Sequence, residues 1–241
     1  MSYHRRPEHN ALLAALQGTE RARIFAILEP VPLTLGEILC EADQPFSYAY
    51  FPADGIVSIL YVMANLDSAE IAVVGNEGMI GVPLFMGGDS TLSRAIVQNA
   101  GHAFRLDAEQ LKDEFRRAGV FQALLLRYSN ALITQMVQTA ACNRHHKIGQ
   151  QLCRWLLRSL DRLPSNELRM TQKLIGNMLG ISVRSVRNAA SVLRKAGLIE
   201  CDGGHITVLS RLGVEKRSCE CSGVVKAETD RLMYVAASAA G

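Results

Sequence analysis

The sequence predicts an α+β protein: a β-rich N-terminal half, one long helix, and a C-terminal helix-turn-helix with a hairpin behind it. Three observations carry this. Between Leu33 and about Leu106, short apolar runs alternate with Gly, Pro, Asn and Asp. From Ala108 to Leu163, apolar residues recur at helical spacing. From Met170 to Leu209, two short helical patterns joined by a glycine precede two strand-like runs. Regularly spaced short strands argue for an antiparallel sandwich or barrel, and steps of three and four residues argue for helices.

At 241 residues, 49% of them hydrophobic, the chain suits two modest domains with their own cores. No apolar run reaches the roughly 18 residues that a membrane helix needs. The N-terminus MSYHRRPEHN is basic but has no apolar region after it, so no secretory signal is expected. Six cysteines, at 40, 142, 153, 201, 219 and 221, follow no disulfide framework and are expected to be cytosolic thiols. The expected location is the cytoplasm, without membrane attachment.

Ala11–Leu28 carries helical spacing, and Pro30 and Pro32 are expected to end that helix. The strand-like runs are Gly36-Glu37-Ile38-Leu39, Tyr48–Phe51, Gly55–Met63, Glu70–Val74, Met79–Val82 and Ala95–Val97. Pro45, Pro52–Gly55, Gly75–Gly78 and Gly87-Gly88-Asp89 punctuate them. The helical stretch that follows should break near Arg116–Gly119. Beyond the break, Phe121, Leu125, Tyr128, Leu132, Gln135 and Thr139 alternate steps of four and three, close to a coiled-coil seam. Leu124, Ile133, Met136, Val137 and Ala140 widen the apolar surface. These six seam residues are expected to pair two copies of the chain.

Met170–Ile199 is the most specific stretch. Thr171 and Ser182 stand where a side-chain oxygen can cap each of two helices. Leu174, Ile175, Met178 and Leu179 form one apolar face, Gly180 marks a turn, and Ile181 plugs it. Val186, Ala190 and Leu193 give the second helix, Ser182–Ala196, a buried stripe, leaving Arg184, Arg187, Asn188 and Arg194 on other faces. A tight turn before a helix with exposed Arg and Asn suits a DNA major groove. Gly197 ends the helix. Leu198–Cys201 and His205–Leu209 then read as strands around Asp202-Gly203-Gly204, a hairpin signal. The whole is a winged helix.

Charge agrees. Residues 143–217 hold fourteen Lys and Arg against five Asp and Glu, whereas residues 1–142 hold ten against fifteen. A basic C-terminal half suggests a polyanionic partner. Val183, Arg184, Arg187 and Asn188 occupy the first turns of the second helix and are expected to read bases, because Arg suits guanine and Asn suits adenine. Thr171, Lys173, Ser182, Ser185, Arg194 and His205 are expected at phosphates.

In this order, sandwich domain, long helix and winged helix, the chain resembles the Crp/Fnr transcription regulators. The resemblance is carried by Gly176–Val186, Leu193–Ile199 and the glycine pattern Gly75-Asn76-Glu77-Gly78-Met79-Ile80-Gly81. It implies a jelly-roll-like, double-stranded β-roll sensor over 1–117, a dimerisation helix over 118–145, a winged helix-turn-helix over 146–218 and a tail over 219–241. It also implies a homodimer on a palindromic DNA operator, with RNA polymerase as a further partner if the protein activates.

The family's sensor chemistry does not carry over. Members that bind cyclic AMP have Gly-Glu, about ten residues, then Arg-Ser-Ala. The matching positions here are Gly81, Val82, Ser93 and Arg94. Val82 cannot accept a hydrogen bond where Glu is wanted, and Ser93 stands in the Arg position. Arg94 is one place late, which on a strand means the opposite face unless a bulge intervenes. The usual mode of cyclic AMP binding is therefore not expected. No N-terminal cysteine cluster offers iron–sulfur ligation, and His102 is an isolated histidine rather than an expected haem ligand. Cys219-Glu220-Cys221 offers two thiols for a soft metal or a redox pair. No second cysteine pair accompanies it, and His145-His146 is distant in sequence, so incidental thiols, no metal and no cofactor are expected. No catalytic signature is present and no enzyme activity is expected. The competing reading is a ligand-binding or interaction module whose basic half is only a solvated face.

Overall fold

The computed structural model describes residues 6–65, 67–163, 165–202 and 204–238. The chain divides into two compact units, one of residues 1–59, 73–133 and 227–241, the other of 60–72 and 134–226.

In the first unit, Asn10 starts helix α1 (Ala11–Ala14). It is fully buried, and its Oδ1 accepts from the N–H groups of Leu12 and Leu13 at 3.1 and 3.3 Å. Its Nδ2 donates to the carbonyls of Pro52 and Gly78 at 3.0 and 2.8 Å, so every polar atom of this buried amide is used. Gly18, at φ +56°, separates α1 from α2 (Gly18–Phe25), splitting the single helix expected over 11–28. Pro30 and Pro32 do more than stop a helix. They lie in strand β1 (Glu29–Leu33), at the edge of a three-stranded sheet, where a missing N–H is tolerated.

The strands that follow are β2 (Ile38–Cys40), β3 (Tyr48–Pro52), β4 (Ile56–Val62), β5 (Ser68–Val74), β6 (Ser93–Asn99) and β7 (Gly101–Asp107). They form two sheets, β1-β7-β3 and β2-β6-β4-β5. This is the expected β-roll. Strand β7 went unanticipated because its apolar alternation is short and begins at Gly101. The run Met79–Val82 makes only an isolated bridge, Tyr50 with Ile80, before a 3-10 turn over Val82–Phe85. Phe51, Ile56, Val74, Met79 and Leu106 are buried in the core.

Helix α3 (Ala108–Arg116) is capped by Asp107. The break comes where expected, with Ala118 at φ +56°. Glu20 then caps α4 (Val120–His145), its two oxygens accepting from the N–H groups of Val120 and Phe121 at 3.2 Å each. Gly119 leaves room for that carboxylate, since a Cβ there would lie 2.4 Å from Glu20 Oε1.

The expected pairing seam on α4 needs correction. Phe121, Leu125, Tyr128, Leu132, Gln135 and Thr139 are all buried within the chain. Phe121 lies against Phe51, with ring centroids 6.3 Å apart, and Tyr128 Oη donates to the Met79 carbonyl at 3.0 Å. Gly78 makes way for that ring. The exposed face carries a different series: Ala123, Leu126, Asn130, Ile133, Val137 and Ala140, in steps of three and four. Both phases are periodic, and the series with the bulky aromatics fills the core.

In the second unit, α5 (Ile148–Leu160) is followed by β8 (Glu167–Arg169), α6 (Gln172–Leu179), α7 (Val183–Lys195), β9 (Ile199–Asp202), β10 (His205–Val208) and α8 (Arg211–Glu215). Helix α9 spans Cys221–Ser238. The small sheet has the order β8-β10-β9, and its third strand β8 was not read from sequence. Among the described residues, no helix is long and apolar enough to cross a membrane.

Candidate nucleic-acid interface

Local chemistry builds the helix-turn-helix. Thr171 Oγ1 accepts from Leu174 N at 3.2 Å and starts α6, which buries Ile175, Met178 and Leu179. Gly180 turns the chain at φ +65°. Ile181 N donates to the Gly176 carbonyl at 2.9 Å, and a Cβ on Gly176 would lie only 2.9 Å from Ile181 O. Glycine at 176 thus permits the close approach. Ser182 Oγ accepts from Ser185 N at 3.2 Å and starts α7, which buries Val186, Ala190 and Leu193. Gly197, at φ +68°, ends it, with Leu198 N donating to Leu193 O at 3.0 Å.

With that stripe buried, the other faces follow at about 100° per residue. Arg184 and Asn188 project roughly opposite the stripe, and both are exposed. Neither makes a hydrogen bond or ion pair with a described residue. Val183 is exposed at the helix start. Arg187 and Arg194 lie on the flank that faces α6 and β9, around a cleft that also includes Gln172, Ser191 and Cys201. Arg187 Nε reaches Gln172 Oε1 at 3.5 Å. Lys173, Thr171 and Ser182 are exposed near the start of each helix. Ser185 is half-buried, and with Asn188 it lines a groove of about 520 Å³ that includes Lys147, Cys153 and Arg217.

The wing pairs β9 with β10, His205 opposite Asp202. His205 is exposed at the tip, and Gly203 of the expected turn lies outside the described residues. Not all of the basic excess is surface. Arg154 and Arg158 on α5 are buried, and each donates from Nη1 to Thr139 Oγ1 at 3.3 Å.

The β-roll residues expected at an effector pocket are placed as follows. Gly81 has φ +108° and passes so close to β3 that a Cβ would lie 3.2 Å from Ala49 Cα. Val82 enters the 3-10 turn. Ser93 is buried on β6, and Arg94, next along the strand, turns the other way. Arg94 Nε donates to Glu41 Oε1 at 2.8 Å. That bond holds the Glu41 carboxyl below its ordinary range. The pairing of β2 with β6 does contain an irregularity, between Ile38 and Cys40, yet Arg94 remains committed to Glu41. His102 pairs with Asp54, Nδ1 to Oδ1 at 3.5 Å.

The tail cysteines are not isolated. Cys219 and Cys221 meet Cys142 and His146 from the end of α4, and the four ligand atoms all lie within 4.8 Å of one another. His146, too distant in sequence to be assumed nearby, thus joins the two tail thiols, while His145 is not among the four. The available signal was the spacing of Cys142 and His146, one helical turn apart. Burial pushes the Cys142 thiol up to about 12 and raises that of Cys219.

Comparison with known proteins fits this geometry. Residues 30–118 match the cyclic nucleotide-binding domain, and residues 150–217 match the Crp-like helix-turn-helix domain. No curated protein matches the chain. Among solved structures, FixK2 from Bradyrhizobium japonicum is similar over 80% of this chain and 98% of its own, at 16% identity and TM-score 0.66. A CRP-family transcriptional regulator from Thermus thermophilus is similar over 78% of this chain and 96% of its own, at 15% identity and TM-score 0.66. The c-di-GMP responsive global regulator CLP from Xanthomonas campestris is similar over 79% of this chain and 98% of its own, at 14% identity and TM-score 0.63. The two domain matches together span more than half of the chain in the order of the fold, and the chain belongs to the Crp/Fnr family of transcriptional regulators.

Proposed function

We infer that this regulator binds a two-fold symmetric DNA operator as a homodimer, and reads each half-site with α7. One observation carries the reading: Arg184 and Asn188 stand exposed, without a partner among the described residues, opposite the stripe that buries Val186, Ala190 and Leu193. Val183 and Arg187 complete the base-reading set. Thr171, Lys173, Ser182, Ser185, Arg194 and His205 hold the phosphates on either side, which fixes register without reading sequence. Residues 1–117 serve as sensor, 118–145 as pairing helix, 146–218 as DNA reader and 219–241 as a tail.

Pairing uses the exposed face of α4. Ala123, Leu126, Asn130, Ile133, Val137 and Ala140 repeat at coiled-coil spacing, and three of them are large apolar side chains left in solvent. Two such helices side by side give the two-fold axis that a palindromic operator requires. The sensor does not hold cyclic AMP in the usual way, because Arg94 is tied to Glu41 and Val82 offers no acceptor.

The test is selection of duplexes from a random pool by the purified full chain, without added ligand. A palindromic consensus is the expected outcome. Failure to retain any duplex at low salt would instead favour an interaction module with a solvated basic face.

A further inference from the structure

Three buried thiols and one imidazole converge where the end of α4 meets the start of α9. Cys142 lies in the last turn of α4 and His146 just past its end, one turn on, with the His146 N–H donating to the Cys142 carbonyl at 3.0 Å. Cys219 and Cys221 lie just before and at the start of α9. Cys142 Sγ is 3.5 Å from Cys219 Sγ, and Cys221 Sγ is 3.5 Å from His146 Nδ1. All four ligand atoms fit within 4.8 Å of one another. We propose that these four residues bind one Zn²⁺ ion in a tetrahedral site of three thiolates and one imidazole.

The dimensions select this occupant. With Zn–S bonds of about 2.3 Å, tetrahedral geometry sets thiolates about 3.8 Å apart. The two pairs at 3.5 Å need only a few tenths of an ångström to reach it, and the rest, all within 4.8 Å, at most about 1 Å. An iron–sulfur cluster inserts several atoms between its cysteines and needs a wider cage. A disulfide would use only two of the three sulfurs and would leave the imidazole unexplained.

Surrounding groups fit a metal ligand set. His146 points Nδ1 at the sulfurs while Nε2 lies 3.3 Å from Glu220 Oε1. A carboxylate behind the far ring nitrogen is the arrangement that orients a ligating histidine. Gln138 Nε2 donates to Cys221 Sγ at 3.0 Å, which supports a thiolate. The buried guanidinium of Arg154 places a positive charge near Cys142. Binding displaces three thiol protons and takes the neutral imidazole, so Zn²⁺ with three thiolates carries one net negative charge. Arg154 offsets it.

The site closes a long loop. It ties the end of α4 to a segment that follows the wing, with the whole of α5 to α8 between its two ligand pairs. Metal affinity thereby becomes folding energy for that segment.

The full chain, expressed with zinc and purified without chelator, should carry one zinc per chain by elemental analysis. After stripping, Co²⁺ should give intense tetrahedral d–d absorption and thiolate charge-transfer bands, with one equivalent saturating. Cys142→Ser and Cys221→Ser should lose the metal. Cys153→Ser, which alters a buried thiol outside the four, should keep it. His146→Cys should keep it with a shifted cobalt spectrum. If the serine variants do not fold, the cobalt titration of the unaltered chain decides alone. Only trace zinc with no tetrahedral cobalt spectrum would overturn the site. So would a visible iron–sulfur chromophore with acid-labile sulfide, a Cys142–Cys219 disulfide in place of metal, or full retention of metal in Cys142→Ser.

Discussion

Arg94 and Glu41 are bound to each other, guanidinium Nε to carboxylate Oε1 at 2.8 Å. This bond occupies the arginine that lies nearest the family's phosphate-binding position. Both side chains are about one-third exposed, so the pair is worth little to stability. Its importance lies in what it withholds from a ligand. Calorimetry with cyclic AMP should show no tight binding, and Arg94→Ala should not change that result. Tight binding abolished by Arg94→Ala would show that the pair opens.

The same pair gives a pH prediction. Its hydrogen bond lowers the Glu41 pKa in the folded state. The carboxylate therefore favours the folded state at pH above its ordinary value, and this contribution is lost as pH falls through the lowered value. An NMR titration should place the Glu41 midpoint below the ordinary range and return it upward in Arg94→Gln. An unchanged midpoint in that variant would remove Arg94 as the cause.

Two arginines on α7 should behave differently. Arg184→Ala should relax preference at one base position, at a cost of about 1–3 kcal/mol on the preferred duplex. Arg194→Ala should weaken all duplexes alike and reduce the salt slope by about 1. Binding isotherms at several salt concentrations, on preferred and scrambled duplexes, separate the two. A uniform loss in both variants would refute the division between base and phosphate contacts.

The α4 faces make opposite predictions. Ile133→Asp, on the exposed series, should yield a folded monomer in sedimentation experiments and weaken operator binding. Leu125→Ala, on the buried series, should lower thermal stability by about 2–5 kcal/mol. A fully dimeric Ile133→Asp at low micromolar concentration would move the interface elsewhere.

Gly78 sits where a Cβ would fall 2.3 Å from the Tyr128 ring. Gly78→Ala should cost about 1–3 kcal/mol by overpacking. Pairing it with Tyr128→Leu should recover part of the loss in thermal melts. No loss in the single variant would mean that the ring moves freely.

The helix-turn-helix was legible because its determinants are local. Thr171, Gly180, Ser182 and Gly197 each act within a few residues of themselves. The β-roll was legible as a class but not strand by strand. Pro30 and Pro32 are tolerated only because β1 is an edge, and edges are a property of the sheet. The α4 seam was misassigned for a related reason. Two periodic phases share one helix, and only packing decides that Tyr128 goes inward and Val137 outward. Arg154 and Arg158 counted as surface charge in sequence but are buried beside Thr139. The thiol cluster escaped because 77 residues separate Cys142 from Cys219, and only the fold closes that distance.

The exposed series on α4 has a quantitative consequence. Only Leu126, Ile133 and Val137 offer large apolar side chains, while Asn130 and the two alanines contribute little grip. Burying a large apolar side chain is worth roughly 1.5–3 kcal/mol, and association must first overcome several kcal/mol of lost freedom. Under the pairing proposed above, contact through this face alone would let the pair exchange its members and come apart on dilution. In that arrangement operator occupancy would rise more steeply than in proportion to the amount of chain, which would make the dosage of this regulator an input.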